Sequence, residues 1–362
     1  MREGIISNIV SFFAWSSRTL LRGIAMLNKR DYGIDMLRFV ACCAVVGLHT
    51  FTKGITLTST VAYYACGFAV PIFFMCSGAF LLNRGGVDWS YVVKKLRRLL
   101  NVLVLWASVL SLVYVIGKLI TGTDDAATLV SVFPITLFGS LFQIGLLSHG
   151  WFLWALAIVY CFLPLLSSLS LRGKLNCFLL FASFGLVAQG LSCFVGFPLA
   201  SFVPQTFRIW IWLEYFLLGG LLYSLCSRSH IFENGLALIA ACIVAIVWQM
   251  YAGIYLMPEA TGSAHAEYFY DGLPCLVLCA TLFLFSIRLR PDSKPWEYLG
   301  SLTMGVYLFH LFVVRALGHF ISFSDAVWAS GLGFIAVLLI SLFAIGFVKK
   351  FLSKVYLSFC EV

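Results

Sequence analysis

Ten apolar windows of about twenty residues recur along the chain, each near the length a helix needs to cross a hydrocarbon core. They fall at 36–54, 61–82, 99–119, 151–170, 176–196, 209–226, 235–254, 272–287, 300–318 and 327–348. Backbone in lipid must satisfy its own hydrogen bonds, so segments of this kind are helices. The connections are short and polar, and no soluble domain is expected between the windows or after them. The sequence thus predicts an all-α membrane protein, a bundle of about ten transmembrane helices. Composition excludes a water-soluble fold. Hydrophobic residues make up 62% of the 362 and charged residues 11%, against roughly 45–50% and about 25% in soluble domains.

The chain carries 24 Lys and Arg against 15 Asp and Glu, a formal net charge of +9. In a soluble protein that surplus would raise the question of nucleic acid. Here the basic residues are scattered between apolar windows, so no nucleic-acid partner is expected and membrane topology explains them better. With the N-terminus cytoplasmic, 19 basic residues fall on the inner side and only Lys53, Lys118, Arg208 and Arg315 on the outer side. Both termini are therefore expected to be cytoplasmic. The stretch 127–147 is apolar enough to mimic a further span, but crossing there would carry the basic 172–174 loop outside. Pro134, Gly139 and Gly145 also interrupt it, so 121–150 is expected to be interfacial or re-entrant on the outer side. Residues 5–27 place Ile5, Ile9, Phe12, Leu20 and Leu27 on one broad helical face and Ser7, Asn8, Arg18 and Arg22 on the other. That pattern suits an amphipathic helix lying on the inner leaflet. The expected organisation is a cytoplasmic N-terminal segment (1–34), a transmembrane domain (35–350) and a cytoplasmic tail (351–362).

The twelve cysteines form no CxxC pair and read as small packing groups. No metal site is expected, and no repeat relates the two halves. The informative residues are the few ionisable ones inside the windows, because a charge near the bilayer centre costs at least ~2.5 kcal/mol. The first window holds Asp35, Arg38 and His49. Arg38 and His49 are eleven residues apart, close to three whole turns, so they share a helix face with about 16 Å between them along the axis. Asp35 is placed to cap the helix start and to pair with Arg38. An arginine at the inner mouth can hold phosphate through its fork of donors, and a histidine further in can act as a general base. The bland alternative has Arg38 snorkelling to lipid phosphates and His49 bonded to a neighbouring helix.

The stretch "RDYGIDMLRFVACCAVVGLHTF", with an Arg and a His separated by ten residues, resembles the opening signature of the acyltransferase family 3 integral membrane proteins. "VPIFFMCSGAFLL" resembles the family's second-span motif and "KKLRRLL" its basic cytoplasmic motif. "HGWFLWALAIVYCFLPLL" resembles its mid-chain Trp-Phe span and "MGVYLFHLFVV" its late Tyr-x-x-His. The five motifs stand in family order over roughly 30–110, 148–165 and 299–314. The chain is most similar to single-domain members that O-acetylate surface glycans. The resemblance implies an enzyme of the bacterial inner (cytoplasmic) membrane that takes an acyl group from cytosolic acyl-CoA. Acetyl-CoA is the default donor, and the acceptor is a hydroxyl of a cell-surface glycan or lipid-linked sugar.

On this reading Arg38, Lys94, Lys95, Arg97 and Arg98 would meet the phosphates of the donor. The register of the basic motif departs from the usual Arg-x-x-Arg, and topology alone also explains basic residues there. His49 would be the general base, or would itself carry the acyl group. Ser77, Tyr307 and His310 are candidate donors to a developing oxyanion, although Ser77 beside Gly78 equally suits close helix packing. His149 and Trp151 would line the outer entrance. Glu214 would touch the acceptor or pair with Arg208. Tyr268, Tyr270 and Asp271 would contact a sugar, or are ordinary interfacial residues. The rival class is a multi-span secondary transporter using the intramembrane Arg, His and Glu; a non-catalytic membrane scaffold stands third. The acceptor and the oligomeric state are not legible in the sequence.

Overall fold

The computed structural model describes residues 31–51, 57–85, 87–122, 126–228, 234–289, 291, 294–318, 320 and 327–353. The amphipathic stretch 5–27 and the end of the tail lie outside the described residues. Every regular element among them is helical. In chain order these are α1 (Tyr32–Thr50), α2 (Leu57–Ala65), α3 (Ala69–Leu81), α4 (Trp89–Thr121), α5 (Ala126–Gly139), α6 (Trp151–Cys161) and α7 (Leu163–Ser168). They continue with α8 (Leu171–Val195), α9 (Ile209–Arg228), α10 (Gly235–Tyr251), α11 (Met257–Thr261), α12 (Leu273–Leu289), α13 (Lys294–Gly318) and α14 (Val327–Phe351). The protein is an all-α membrane bundle.

Eight of the ten expected windows coincide with helical spans long and apolar enough to cross a bilayer. The other two are shorter. α12 has 17 residues, and the window 151–170 is divided between α6 and α7. The division falls at Phe162 because Pro164, which lacks an N–H and fixes its own φ, opens a helix far better than it continues one. α5 has 14 residues and contains Pro134, too short to cross alone, in keeping with the expected interfacial or re-entrant segment.

α1 begins at Asp31, whose carboxylate accepts from the backbone N–H groups of Gly33 (2.9 Å) and Ile34 (3.3 Å). The cap is thus Asp31 and not Asp35, as the sequence suggested. Only a residue preceding the first turn can reach those unpaired donors. Asp35 is buried instead and lies 3.9 Å from the Arg38 guanidinium one turn on.

Two helix pairs form the centre: α3 against α9, and α1 against α13. At the first crossing Gly78 of α3 and Gly219 of α9 let the backbones touch. A Cβ on Gly78 would overlap the Phe216 carbonyl, and one on Gly219 the Met75 carbonyl. Above this crossing Phe74 stacks on Trp212 with centroids 4.7 Å apart and planes 14° apart. The far end of α3 is tied down by Lys174, which donates to the Leu82 carbonyl (2.9 Å), and by Asn83, which donates to Ala79 and Gly220 carbonyls (2.9 Å each). α9 is central, 78% of its window being buried; α8 and α14, at 22% each, are peripheral. Exposed Leu180, Phe194 and Phe343 on those outer helices give the apolar girdle a bilayer requires.

Candidate active site

The shared face of α1 is realised in the fold, and its two ends open onto different cavities. Arg38 lines one together with Phe73, Cys76, Ser77, Lys95, Phe152, Tyr160 and Met304. His49 lines the other with Val45, Val70, His149, Trp151, Tyr270 and Tyr307.

At the second cavity three histidines meet, His49 and His149 in its lining and His310 fully buried behind them. The His49 ring lies 5.2 Å from that of His310, and the His149 ring 5.7 Å from it. His310 comes from the middle of α13. Its Nδ1 stands 2.6 Å from the Tyr307 carbonyl and 3.2 Å from that of Val306, the preceding turn of its own helix. A carbonyl only accepts, so Nδ1 carries the proton and Nε2 is a bare lone pair. His149 stands at the start of α6, its Nε2 2.9 Å from the Leu308 carbonyl. By the same reasoning Nε2 is protonated and Nδ1 is bare. Neither bare nitrogen has a partner. Tyr307 completes the arrangement by donating to the His149 carbonyl (2.6 Å). His149 in the cavity lining and His310 behind it are therefore each left with one bare nitrogen, while His49 is exposed on the cavity surface.

The Arg38 cavity is different in character. Arg38 is about one-third exposed and touches Asp35 and the Thr303 hydroxyl (3.4 Å). Lys95 lines the same cavity, whereas Lys94, Arg97 and Arg98 are exposed on α4 outside it. Of the basic motif, Lys95 is the residue the fold brings to Arg38. Ser77 also lines this cavity, together with Tyr160. It is therefore not brought together with His49, Tyr307 and His310.

Between the cavities lies a layer of three aromatic rings. Phe73, Phe152 and Tyr307 form a triangle with centroid separations of 5.7, 6.3 and 5.3 Å. All three are buried, at 9%, 2% and 4% exposure.

Three loops meet over the His49 cavity. Gln143 has φ 63°, the one positive φ outside glycine among the described residues. Its side-chain oxygen accepts from the Gln205 backbone N–H (3.2 Å), and the Gln205 amide donates to the Glu267 carboxylate (2.5 Å). Arg208 donates to the Glu267 and Val203 carbonyls (2.7 and 2.9 Å) and lies over the Tyr268 ring. Such a web holds a left-handed residue that would otherwise relax. Gln143, Gln205 and Glu267 all line the cavity. None was singled out from the sequence, where the available signal is only an isolated polar or acidic residue between apolar stretches.

Of the expected acceptor contacts, His149, Trp151 and Tyr270 line this cavity. Glu214 and Asp271 do not. They face each other across Gly185, whose added Cβ would lie 3.3 Å from the Glu214 carboxylate and 3.0 Å from the Asp271 Cβ. Glu214 does not pair with Arg208, because that guanidinium is already committed to the loop carbonyls.

Residues 31–346 match the family model described as an acyltransferase domain of family 3. Searches among curated proteins and among solved structures returned no match. The family match spans the bundle from the Asp31 cap to the last helix, and both cavities lie within it. The chain therefore belongs to acyltransferase family 3 and is an integral membrane acyltransferase.

Proposed function

We propose that the protein is an O-acyltransferase that moves an acetyl group from acyl-CoA, bound on the Arg38 side, to a hydroxyl of a glycan or lipid-linked sugar on the His49 side. The observation that carries this reading is that one face of α1 presents an arginine to one cavity and an accessible histidine to another at its opposite end. The distribution of basic residues supports a cytoplasmic Arg38 side in a bacterial inner membrane. Arg38 and Lys95 suit the phosphates of the donor, with Lys94, Arg97 and Arg98 adding a positive field around the mouth. On the acceptor side Trp151 and Tyr270 offer ring faces, and Glu267, Gln143 and Gln205 offer hydrogen-bonding groups.

His49 takes the proton of the acceptor hydroxyl as its oxygen bonds to the thioester carbon. The carbon–sulfur bond then breaks, and the proton held on His49 passes to the leaving thiolate. Acid and base are thus one residue used twice. The His310 ring lies beside that of His49 and carries a bare Nε2; in this scheme that nitrogen accepts an imidazole N–H and favours the imidazolium that forms. His310 is a positioning residue in this scheme. Tyr307 is another, since its hydroxyl is committed to the His149 carbonyl.

Transfer of radiolabelled acetyl from acetyl-CoA into membrane glycans tests the reading. His49→Ala is expected to lose about 10²–10⁴-fold in rate, and Arg38→Ala to raise KM for acetyl-CoA about tenfold. A folded His49→Ala protein with wild-type incorporation would overturn the assignment.

A further inference from the structure

We infer that the Phe73–Phe152–Tyr307 triangle is the transit site for the acyl-pantetheine arm of the donor: a dry septum that seals the membrane until the arm threads it. The inference rests on acyl-CoA being the donor.

The two cavities come within one helical turn of each other on three helices at once. On α3, Val70 lines the His49 cavity and Phe73 the Arg38 cavity; on α13, Tyr307 lines the former and Met304 the latter. Each pair is three residues apart, about 4.5 Å of rise. On α6 the change comes between the neighbours Trp151 and Phe152. What remains between the cavities at this level is the layer of three rings, mutually in contact and all buried. Its one polar atom, the Tyr307 hydroxyl, is already donated to a backbone carbonyl. A constriction of packed apolar rings excludes water, as hydrophobic gates do.

Lengths agree with threading. Arg38 and His49 are about 16 Å apart along α1. The arm of coenzyme A runs about twelve bonds from phosphate oxygen to sulfur, equivalent to four extended residues or about 14 Å. A donor held by its phosphates at Arg38 therefore brings its thioester to His49 only by crossing the ring layer. The arm is a thin chain, which three rings can admit by parting, whereas the nucleotide stays behind. With no arm present the closed rings keep protons and water from running between the two faces past three histidines.

The test uses full-length protein in liposomes loaded with a pH-sensitive dye, with proton flux read under an imposed gradient. Wild type is expected to be as tight as protein-free vesicles. Phe73→Ala and Phe152→Ala are expected to leak faster, by about tenfold or more, since alanine opens the constriction to water. The unreactive acetyl-thioether analogue of coenzyme A, added on the Arg38 side, is expected to reseal both variants. Phe152→Leu keeps an apolar side chain but removes a ring from the layer; it is expected to leak faster than wild type and to be resealed by the analogue, which carries the test should alanine unfold the bundle. Folded alanine variants as tight as wild type, a leaky wild type, or a leak indifferent to the analogue would each overturn the inference. Acetyl transfer is assayed in parallel. If no protein transfers acetyl while the variants leak and reseal, the acyl-transfer reading fails and the septum stands.

Discussion

At the scale of single residues, the sequence exposed the chemistry that sits on one helix and concealed the chemistry assembled from several. Arg38 and His49 were legible because eleven residues is nearly a whole number of turns, a property of α1 alone. That His149 joins His310 and His49 depends on how α6 meets α13, which no local pattern encodes. Ser77 shows the reverse case: as a candidate oxyanion donor it was grouped with Tyr307 and His310, but its helix presents it to the Arg38 cavity. Glu214 and Asp271 meet for a similar tertiary reason. Burial pushes the Asp271 carboxyl up to about 6, against a weaker lowering by its hydrogen bonds and by Arg208. A folded-state value above the unfolded one means stability that is whole below the ordinary carboxylate range and is lost as pH rises through about 6. Asp271→Asn removes the group that must ionise. It is expected to flatten the thermal-stability profile between about pH 4 and 6 and to gain on the order of 3 kcal/mol at neutral pH. A variant whose pH profile keeps the wild-type slope would refute this.

At the scale of elements, apolar length located the helices but not their breaks. Pro164 turned one expected span into two helices, and α12 proved shorter than a full crossing. In the ambiguous 121–150 stretch the helix runs on through Pro134 and ends at Gly139, too short to cross alone. The closest crossing in the bundle was only half legible. Small residues suggested packing near Gly78, but its partner at Gly219 could not be chosen from among thirty glycines. Backbone contact there leaves no space for a side chain. Gly219→Val is expected to cost about 3 kcal/mol or more by forcing α3 and α9 apart. The loss should appear as a lower melting temperature in detergent, whereas Gly190→Val, at a glycine with open space around it, should not shift it beyond its helix propensity of a few tenths of a kcal/mol.

For the whole molecule, composition fixed the solvent before any residue was interpreted, and the all-α bundle followed from it. The orientation rests on the same asymmetry of charge. It predicts that a cysteine introduced at Asp88, in the loop before α4, is labelled by an impermeant maleimide only after the cell membrane is opened. One introduced at Ser201, in the loop before α9, should be labelled in intact spheroplasts. The reversed pattern would place the Arg38 cavity on the outside and remove access to cytosolic acyl-CoA.

The carbonyl contacts of His149 and His310 carry a consequence for how such a site is surveyed. Both imidazoles take their tautomers from main-chain oxygens, those of Leu308, Tyr307 and Val306. An alanine scan changes side chains and leaves those oxygens in place. Substitutions at Val306 or Leu308 would therefore score as ordinary packing defects, although the backbone of the same residues dictates which nitrogen is free to act. The choice of tautomer is written in the backbone itself, where conventional mutagenesis does not read.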